Sequence, residues 1–179
     1  MFTVGHFKQP FSLDNITSSN DITCMEWALT YDAFTPPRHI DVGIGAGTAH
    51  WSTNTGVFGE TAAEAAGDNP DGGEADSSIS AAARLTFAPI ATDTRVVHLW
   101  ASVYWRDPGR GETTELLTRP ESHVTDVRLV DTEEMAGVNN VQTYGLEAAT
   151  VLGPLHAEGE YMLSNMNTAG AISTSTAGI

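Results

Sequence analysis

Apolar and polar residues alternate with a period of two through much of this chain, and that alternation constrains the fold more than any other feature. Around residue 100, for example, Val97 and Leu99 share one face while His98 and Arg106 lie on the other. Because successive side chains of an extended chain point to opposite faces, this period predicts a strand. The pattern recurs in residues 2–8, 40–46, 51–59, 79–90, 95–107, 142–150 and 155–163.

Strand patterns repeated this often predict an all-β fold. We expect an antiparallel β-barrel or an open barrel-like sheet of about seven to eight strands, with short turns and long loops. The short connections are Ala91-Thr92-Asp93, Gly153-Pro154 and a tight reversal at Ala49-His50, whereas residues 61–78 and 106–140 are long connections. This asymmetry is typical of outer-membrane barrels. A β-sandwich has the same strand pattern, so the pattern alone leaves both architectures open.

The predicted domain organisation has two parts. Residues 1–163 are expected to form one β domain, and residues 164–179 a flexible polar tail, because Ser, Thr, Asn, Gly and Ala dominate that tail. Such a composition offers little apolar surface to pack.

Charge and motif content exclude several classes of function. The net charge of −15 argues against a nucleic-acid partner, which needs a basic surface. No run of 18 apolar residues encodes a transmembrane helix. The histidines lack the spacing of a zinc site, and no nucleophile or phosphate-loop motif is present. We therefore expect no enzyme activity, no metal and no cofactor.

The start of the chain carries no signal-peptide pattern. Residues 2–5 lack a basic stretch followed by an apolar one. A secreted or outer-membrane protein requires such a signal. The expectation is a processed form, an incomplete reading frame or a chain that never crosses the inner membrane.

Residues 5–27 form the most distinctive motif of the chain, GHFKQPFSLDNITSSNDITCMEW. The motif resembles the segment GxFKxPFSLE-xxTSSxxxTFMER of the phosphate-selective porin O/P family. Further segments resemble that family in the same order, so that the resemblance covers residues 3–163. These are residues 83–89 (LRxxFAP), 96–107 (VVHLGxSxxYRD), 118–123 (xRPExH), 130–132 (LVDTG) and 144–162 (YGLEAAxVxGPFSLQGEYM).

The resemblance implies an outer-membrane β-barrel of a Gram-negative bacterium, in contact with lipid, through which small anions such as phosphate diffuse passively. A complete member is expected to close about sixteen strands, so the chain is predicted to be a fragment or a short relative of such a porin. Association with further copies of itself is left open. The alternative is a soluble or surface β-domain that binds a ligand or itself and forms no pore.

An anion channel needs fixed cations that replace the lost hydration of the ion, and arginine suits this role. Alternation places Arg84 and Arg106 on the polar face, which would line a barrel lumen. Arg119 matches the arginine of the xRPExH loop, and Arg38 follows two prolines. Arg119, Arg38, Arg84 and Arg106 are therefore the candidate anion-binding residues. In the alternative, Arg84 and Arg106 pair with acidic residues of neighbouring strands, namely Glu147, Glu158 and Glu160.

Three positions depart from basic residues that the family carries. Asn15 and Trp27 stand where the long motif has basic residues, and Leu117 replaces a basic residue near Arg119. Together with the negative net charge, these departures predict weak phosphate selectivity for a pore built on this sequence.

Overall fold

The computed structural model describes residues 1–18, 20, 28–35, 38–59, 78–109, 113–114, 116–118, 128, 130–168 and 174–178. Strands dominate these residues, and the predicted all-β antiparallel fold is confirmed. Two short helices, α1 (Leu13–Ile16) and α2 (Leu29–Phe34), follow the first strand. The strands are β1 (Phe2–Phe7), β2 (His39–Gly47), β3 (Trp51–Phe58), β4 (Ile79–Ala91), β5 (Arg95–Asp107), β6 (Thr113–Thr114), β7 (Leu117–Thr118), β8 (Val130–Asp131), β9 (Met135–Ala136), β10 (Val138–Leu152), β11 (Leu155–Thr168) and β12 (Thr174–Gly178).

Eight of these strands form one antiparallel sheet in the order β1-β2-β3-β4-β5-β10-β11-β12. The sheet is open, with β1 and β12 at its two edges. Within the long connection between β5 and β10, β6 pairs with β9 and β7 pairs with β8. The structure thus has the open-sheet form of the predicted barrel-like architecture.

Short turns join the strands at one end of the sheet. The β2–β3 reversal is closed by a bond from Thr48 N to Trp51 O, and the β4–β5 turn by one from Thr92 N to Arg95 O. Gly153, at φ 61°, reverses the chain between β10 and β11. Pro89 lies inside β4, where a register shift between Phe87 and Ile90 accommodates its missing N–H. All three predicted tight turns are present.

The sheet is apolar on one face and mostly polar on the other. We call the apolar side the outer face. Its mid-strand residues are exposed, including Leu85 at 56 %, Phe87 at 50 % and Leu99 at 45 %. In a sandwich these side chains would be buried between two sheets, so the structure does not have the sandwich arrangement.

The opposite side, the inner face, contains buried polar residues and is covered by the chain that follows β1. Its apolar cluster consists of Phe11, Phe58, Ala82, Tyr104 and Met162, against which Phe7 and Phe34 pack. A second cluster, Val138, Val141 and Met166 with Leu116 and Met135, lies towards the long connection. The core of the molecule therefore lies on its polar face.

The sheet extends beyond residue 163, the predicted end of the β domain. β11 continues to Thr168, and β12 pairs with it over residues for which the composition predicts a flexible tail. The physical reason is that β12 is held by backbone hydrogen bonds to β11, which small polar residues make as well as apolar ones. Among the described helices, none is both long and apolar enough to cross a membrane.

Candidate functional site

Residues 8–17, which we call the inner segment, lie against the inner face of the sheet. Phe11 and Gln9 are completely buried there, and the Phe11 ring lies 6.0 Å from that of Tyr104. Gly145 of β10 lies close to both Phe11 and Ser102. A Cβ at this position would make an ordinary contact with Phe11 at 3.7 Å but would lie only 2.6 Å from Ser102 Oγ of β5. A residue without a side chain therefore leaves room for Ser102 on the inner face beside the inner segment.

A buried polar cluster joins the inner segment to four strands. Arg84 of β4 donates from Nη2 to Glu147 Oε2 at 3.1 Å and from Nη1 to the carbonyl oxygen of Ser12 at 3.0 Å. Its guanidinium lies 4.8 Å from the ring centroid of Trp100. Ser12 Oγ in turn donates to Glu160 Oε2 at 3.2 Å. The cluster thus connects β4, β5, β10 and β11 to one point of the inner segment.

Carboxylates outnumber arginines in this cluster. Glu147 and Glu160 lie directly opposite each other in the β10–β11 register. Like charges in this position destabilise a sheet unless a cation offsets them. Arg84 supplies that cation to Glu147, and the side chains of the pair are only 2 % and 0 % exposed. The positive charge of Arg84 therefore acts mainly on the acidic residues of the sheet.

A cavity of 490 Å³ lies between the inner segment and β1 to β5. Its polar lining provides an ammonium, a guanidinium, hydroxyls, an amide and an imidazole, while its apolar lining includes Phe7, Leu13 and Phe58. The polar residues are Thr3, Lys8, Ser52, Asn54, Thr55, Arg84, Thr86 and His98. Such a set of donors is suited to an anion. Among the described residues, no cluster of His, Cys, Asp and Glu has the makeup of a metal site.

Lys8 is the half-buried cation of this cavity, held where β1 ends. Its Nζ donates to the carbonyl oxygen of Asn15 at 2.6 Å, and Asn15 Nδ2 donates to Gln9 O at 3.1 Å. The turn of α1 thus fixes the ammonium against the cavity wall. The sequence prediction missed Lys8, although it is the basic residue of the FKQPFS motif and stands where a strand gives way to a loop.

The predicted arginines occupy different environments, and anion binding at each stays a prediction. Arg84 forms the ion pair with Glu147 that the alternative interpretation predicts. Arg106 is half-buried on the inner face, opposite Ser80 in the register, and has no ion pair within the described part of the chain. Arg38 is exposed just before β2. Arg119 lies outside the described residues.

Two other predicted residues have roles of their own. Asn15, which replaces a basic residue of the family motif, is buried and holds the inner segment together through Gln9. Glu158, a predicted partner of the arginines, instead lies 3.6 Å from His156 Nε2. Leu117 lies in β7, and Trp27 is outside the described residues.

Comparison with known proteins finds a family whose sequence model matches this chain. A family model described as phosphate-selective porin O and P matches residues 1–178. A protein of Caulobacter vibrioides, itself uncharacterized, is 32 % identical over 164 residues, which cover 89 % of this chain and 33 % of that protein. The chain therefore spans about a third of the length of the curated relative it matches. No solved structure matches the chain.

Proposed function

The chain belongs to the phosphate-selective porin O and P family. We propose that it forms part of the wall of an outer-membrane channel, through which small anions such as phosphate diffuse passively. The mechanism is electrostatic attraction and transient loss of hydration along the inner face, without covalent chemistry. The outer face then contacts lipid, and the inner face lines the passage.

The proposal rests on the exposure of apolar side chains on the outer face and the burial of polar side chains on the inner face. Buried residues on the inner face include Ser80, Arg84, Ser102, Thr143 and Glu147, whereas the outer face exposes leucine, valine, isoleucine and aromatic side chains. Proteins that fold in water bury their apolar residues. A sheet that also exposes apolar side chains along the whole of its other face has its lowest free energy where hydrocarbon covers that face.

Strand dimensions agree with a membrane. β4 and β5 each have 13 residues, whereas a tilted transmembrane strand needs about 9–11. The six central strands, β2 to β5, β10 and β11, have 8–15 residues each. Spaced about 4.8 Å apart across roughly 25–30 Å of hydrocarbon, they present about 700–900 Å² of outer face. That area exceeds the few hundred Å² of contiguous apolar surface that monomeric soluble proteins expose.

Aromatic side chains on the outer face lie towards both ends of the strands. Trp51 and Phe87 pair across β3 and β4 beside the short turns, and both are exposed. Trp105 lies two residues before the end of β5, towards the long connections, and is also exposed. Aromatic residues at two levels are a feature of outer-membrane barrels, in which they lie at the two membrane interfaces.

The cavity behind the inner segment supplies the anion-attracting groups of the passage. Lys8 provides a positive charge that no carboxylate pairs with among the described residues. Ser52, Thr86 and Asn54 add hydrogen-bonding groups beside it. Glu147 and Glu160 oppose anion entry, so the anion selectivity is weak, in keeping with the net charge of −15.

Planar-bilayer recording tests this function and the role of Lys8. The purified protein is expected to produce discrete current steps, with a reversal potential in a KCl gradient that shows a weak anion preference. Lys8→Gln should shift that potential towards cation preference because a fixed positive charge is removed beside the cavity. Arg38→Gln is the matched control, since Arg38 is exposed and outside the cavity lining.

Two results would refute parts of the proposal. Absence of current steps from protein that is folded and inserted in the bilayer would refute the channel function. Equal shifts for Lys8→Gln and Arg38→Gln would refute the special position of Lys8. Separation of inner and outer membranes tests the location, and the protein is expected in the outer membrane.

A further inference from the structure

Arg84 is surrounded by protein on all the sides that could meet an ion. One terminal nitrogen binds Ser12 and the other binds Glu147, while Trp100 faces the guanidinium plane. The side chain is only 2 % exposed although it borders the cavity. Nε is buried without a hydrogen-bond partner among the described residues, and a permeating anion could bind the two terminal nitrogens only by replacing Ser12 or Glu147. The guanidinium is thus better placed to hold the wall and the inner segment together than to bind a passing ion.

Ser12, the residue that Arg84 reaches, has a strained backbone. Its φ of 63° and ψ of 141° lie in a region that L-residues rarely adopt. Such a conformation persists when the surroundings hold it in place. Two polar groups of Ser12 are held by side chains of the sheet, its carbonyl oxygen by Arg84 and its hydroxyl by Glu160.

We propose that Ser12, Arg84, Glu147 and Glu160 form a latch that fixes the inner segment against the wall, with Arg84 as a positioning residue. The latch determines where Lys8 lies and how much of the passage the inner segment occupies. The part about the passage rests on the proposed channel function, whereas the fixing of the inner segment does not depend on it.

A spin label in the inner segment tests the latch without any channel activity. Ile16 is suitable because it lies in α1, is 48 % exposed and has no part in the latch. The label is attached to Ile16→Cys in a background in which Cys24 is replaced by serine. Its spectrum is recorded for the detergent-folded protein, with circular dichroism confirming that the sheet is intact.

Four variants distinguish the latch from a general loss of packing. Arg84→Gln removes both guanidinium bonds, whereas Glu160→Met removes the acceptor of Ser12 Oγ and the contact of Glu160 with Glu147. Arg84→Lys keeps the charge but cannot make the forked contact to Ser12 and Glu147. Arg106→Gln is the control, because it removes a positive charge from the same face without a bond to the inner segment within the described residues.

The expected result is a loss of the immobile spectral component in Arg84→Gln and Glu160→Met, a partial loss in Arg84→Lys and none in Arg106→Gln. Glu160→Met keeps the test decisive if Arg84→Gln does not fold, because it leaves the Arg84–Glu147 pair intact. An unchanged immobile component in the folded latch variants would overturn the proposal.

Channel recordings add a second readout. Arg84→Lys, which keeps the positive charge while weakening the latch, is expected to show larger and noisier current steps with little change in selectivity. A large loss of anion selectivity in Arg84→Gln with an immobile inner segment would make Arg84 an ion-contact residue and overturn the latch. If no variant conducts, the channel function fails while the label spectra still decide the latch.

Discussion

Leu146→Lys is the substitution that tests most directly whether lipid covers the outer face. Leu146 lies near the middle of β10, opposite Ala101 of β5 and Tyr161 of β11, and is 61 % exposed. If hydrocarbon surrounds Leu146, replacing it removes the apolar contact between its exposed part and lipid. That loss costs about 1–2 kcal/mol, which is the exposed fraction of the about 1.5–3 kcal/mol that burial of a whole leucine contributes. Placing an ammonium near the bilayer midplane brings the total cost to about 2–4 kcal/mol.

If water surrounded the same face, the substitution would behave as an ordinary surface change, within about 0.5 kcal/mol of zero. The two environments therefore predict clearly different free energies of unfolding. Leu152→Lys is the matched control, because Leu152 is exposed on the same face at the end of β10 beside the short turn. Near the membrane interface the same change costs about 0–1 kcal/mol.

The assay is reversible denaturant unfolding of the protein in phospholipid vesicles, followed by tryptophan fluorescence. A free energy for Leu146→Lys that exceeds that of Leu152→Lys by more than about 1 kcal/mol agrees with the depth dependence of a lipid-facing strand. Equal and near-zero values for both substitutions would refute lipid contact at this face.

Two further substitutions test the packing of the inner face by the same unfolding assay. Gly145→Ala is expected to cost about 1–3 kcal/mol through overpacking, because its Cβ would lie 2.6 Å from Ser102 Oγ. Gly159→Ala is its control, since nothing lies within 4 Å of a Cβ there, and equal effects would contradict the close packing of Gly145 against Ser102. Glu147→Met leaves Arg84 buried without its carboxylate and is expected to cost about 3–5 kcal/mol, whereas combining it with Arg84→Met should cost less than the sum of the single changes. Additive costs would show that the two side chains are not coupled.

The sheet could be predicted well from the sequence because alternation is a local property. The predicted strand of residues 95–107 coincides with β5, and the placement of Arg84 and Arg106 on the polar face is correct. Where alternation weakens, so does the prediction. β10 begins at Val138 and not at residue 142, because the polar pair Asn139 and Asn140 hides the strand pattern.

The remaining elements depend on pairing and on long-range contacts that a local pattern does not contain. β12 and the two-residue strands β6 to β9 are defined by the backbone of the strand beside them. The contact between Arg84 and Ser12 joins residues 72 positions apart. Arg84 could therefore be assigned to the correct face from the sequence, but its partners in the inner segment could not.

The outer face also has a consequence for how a cell must handle the newly made protein. The outer face is apolar across several strands, and its exposed residues include Val42, Leu85, Leu99 and Leu146. In water, chains with such a surface lower their free energy by aggregating through it. If the outer face contacts lipid as proposed, the protein is expected to need a chaperone that shields these side chains during transit and a bilayer in which to fold.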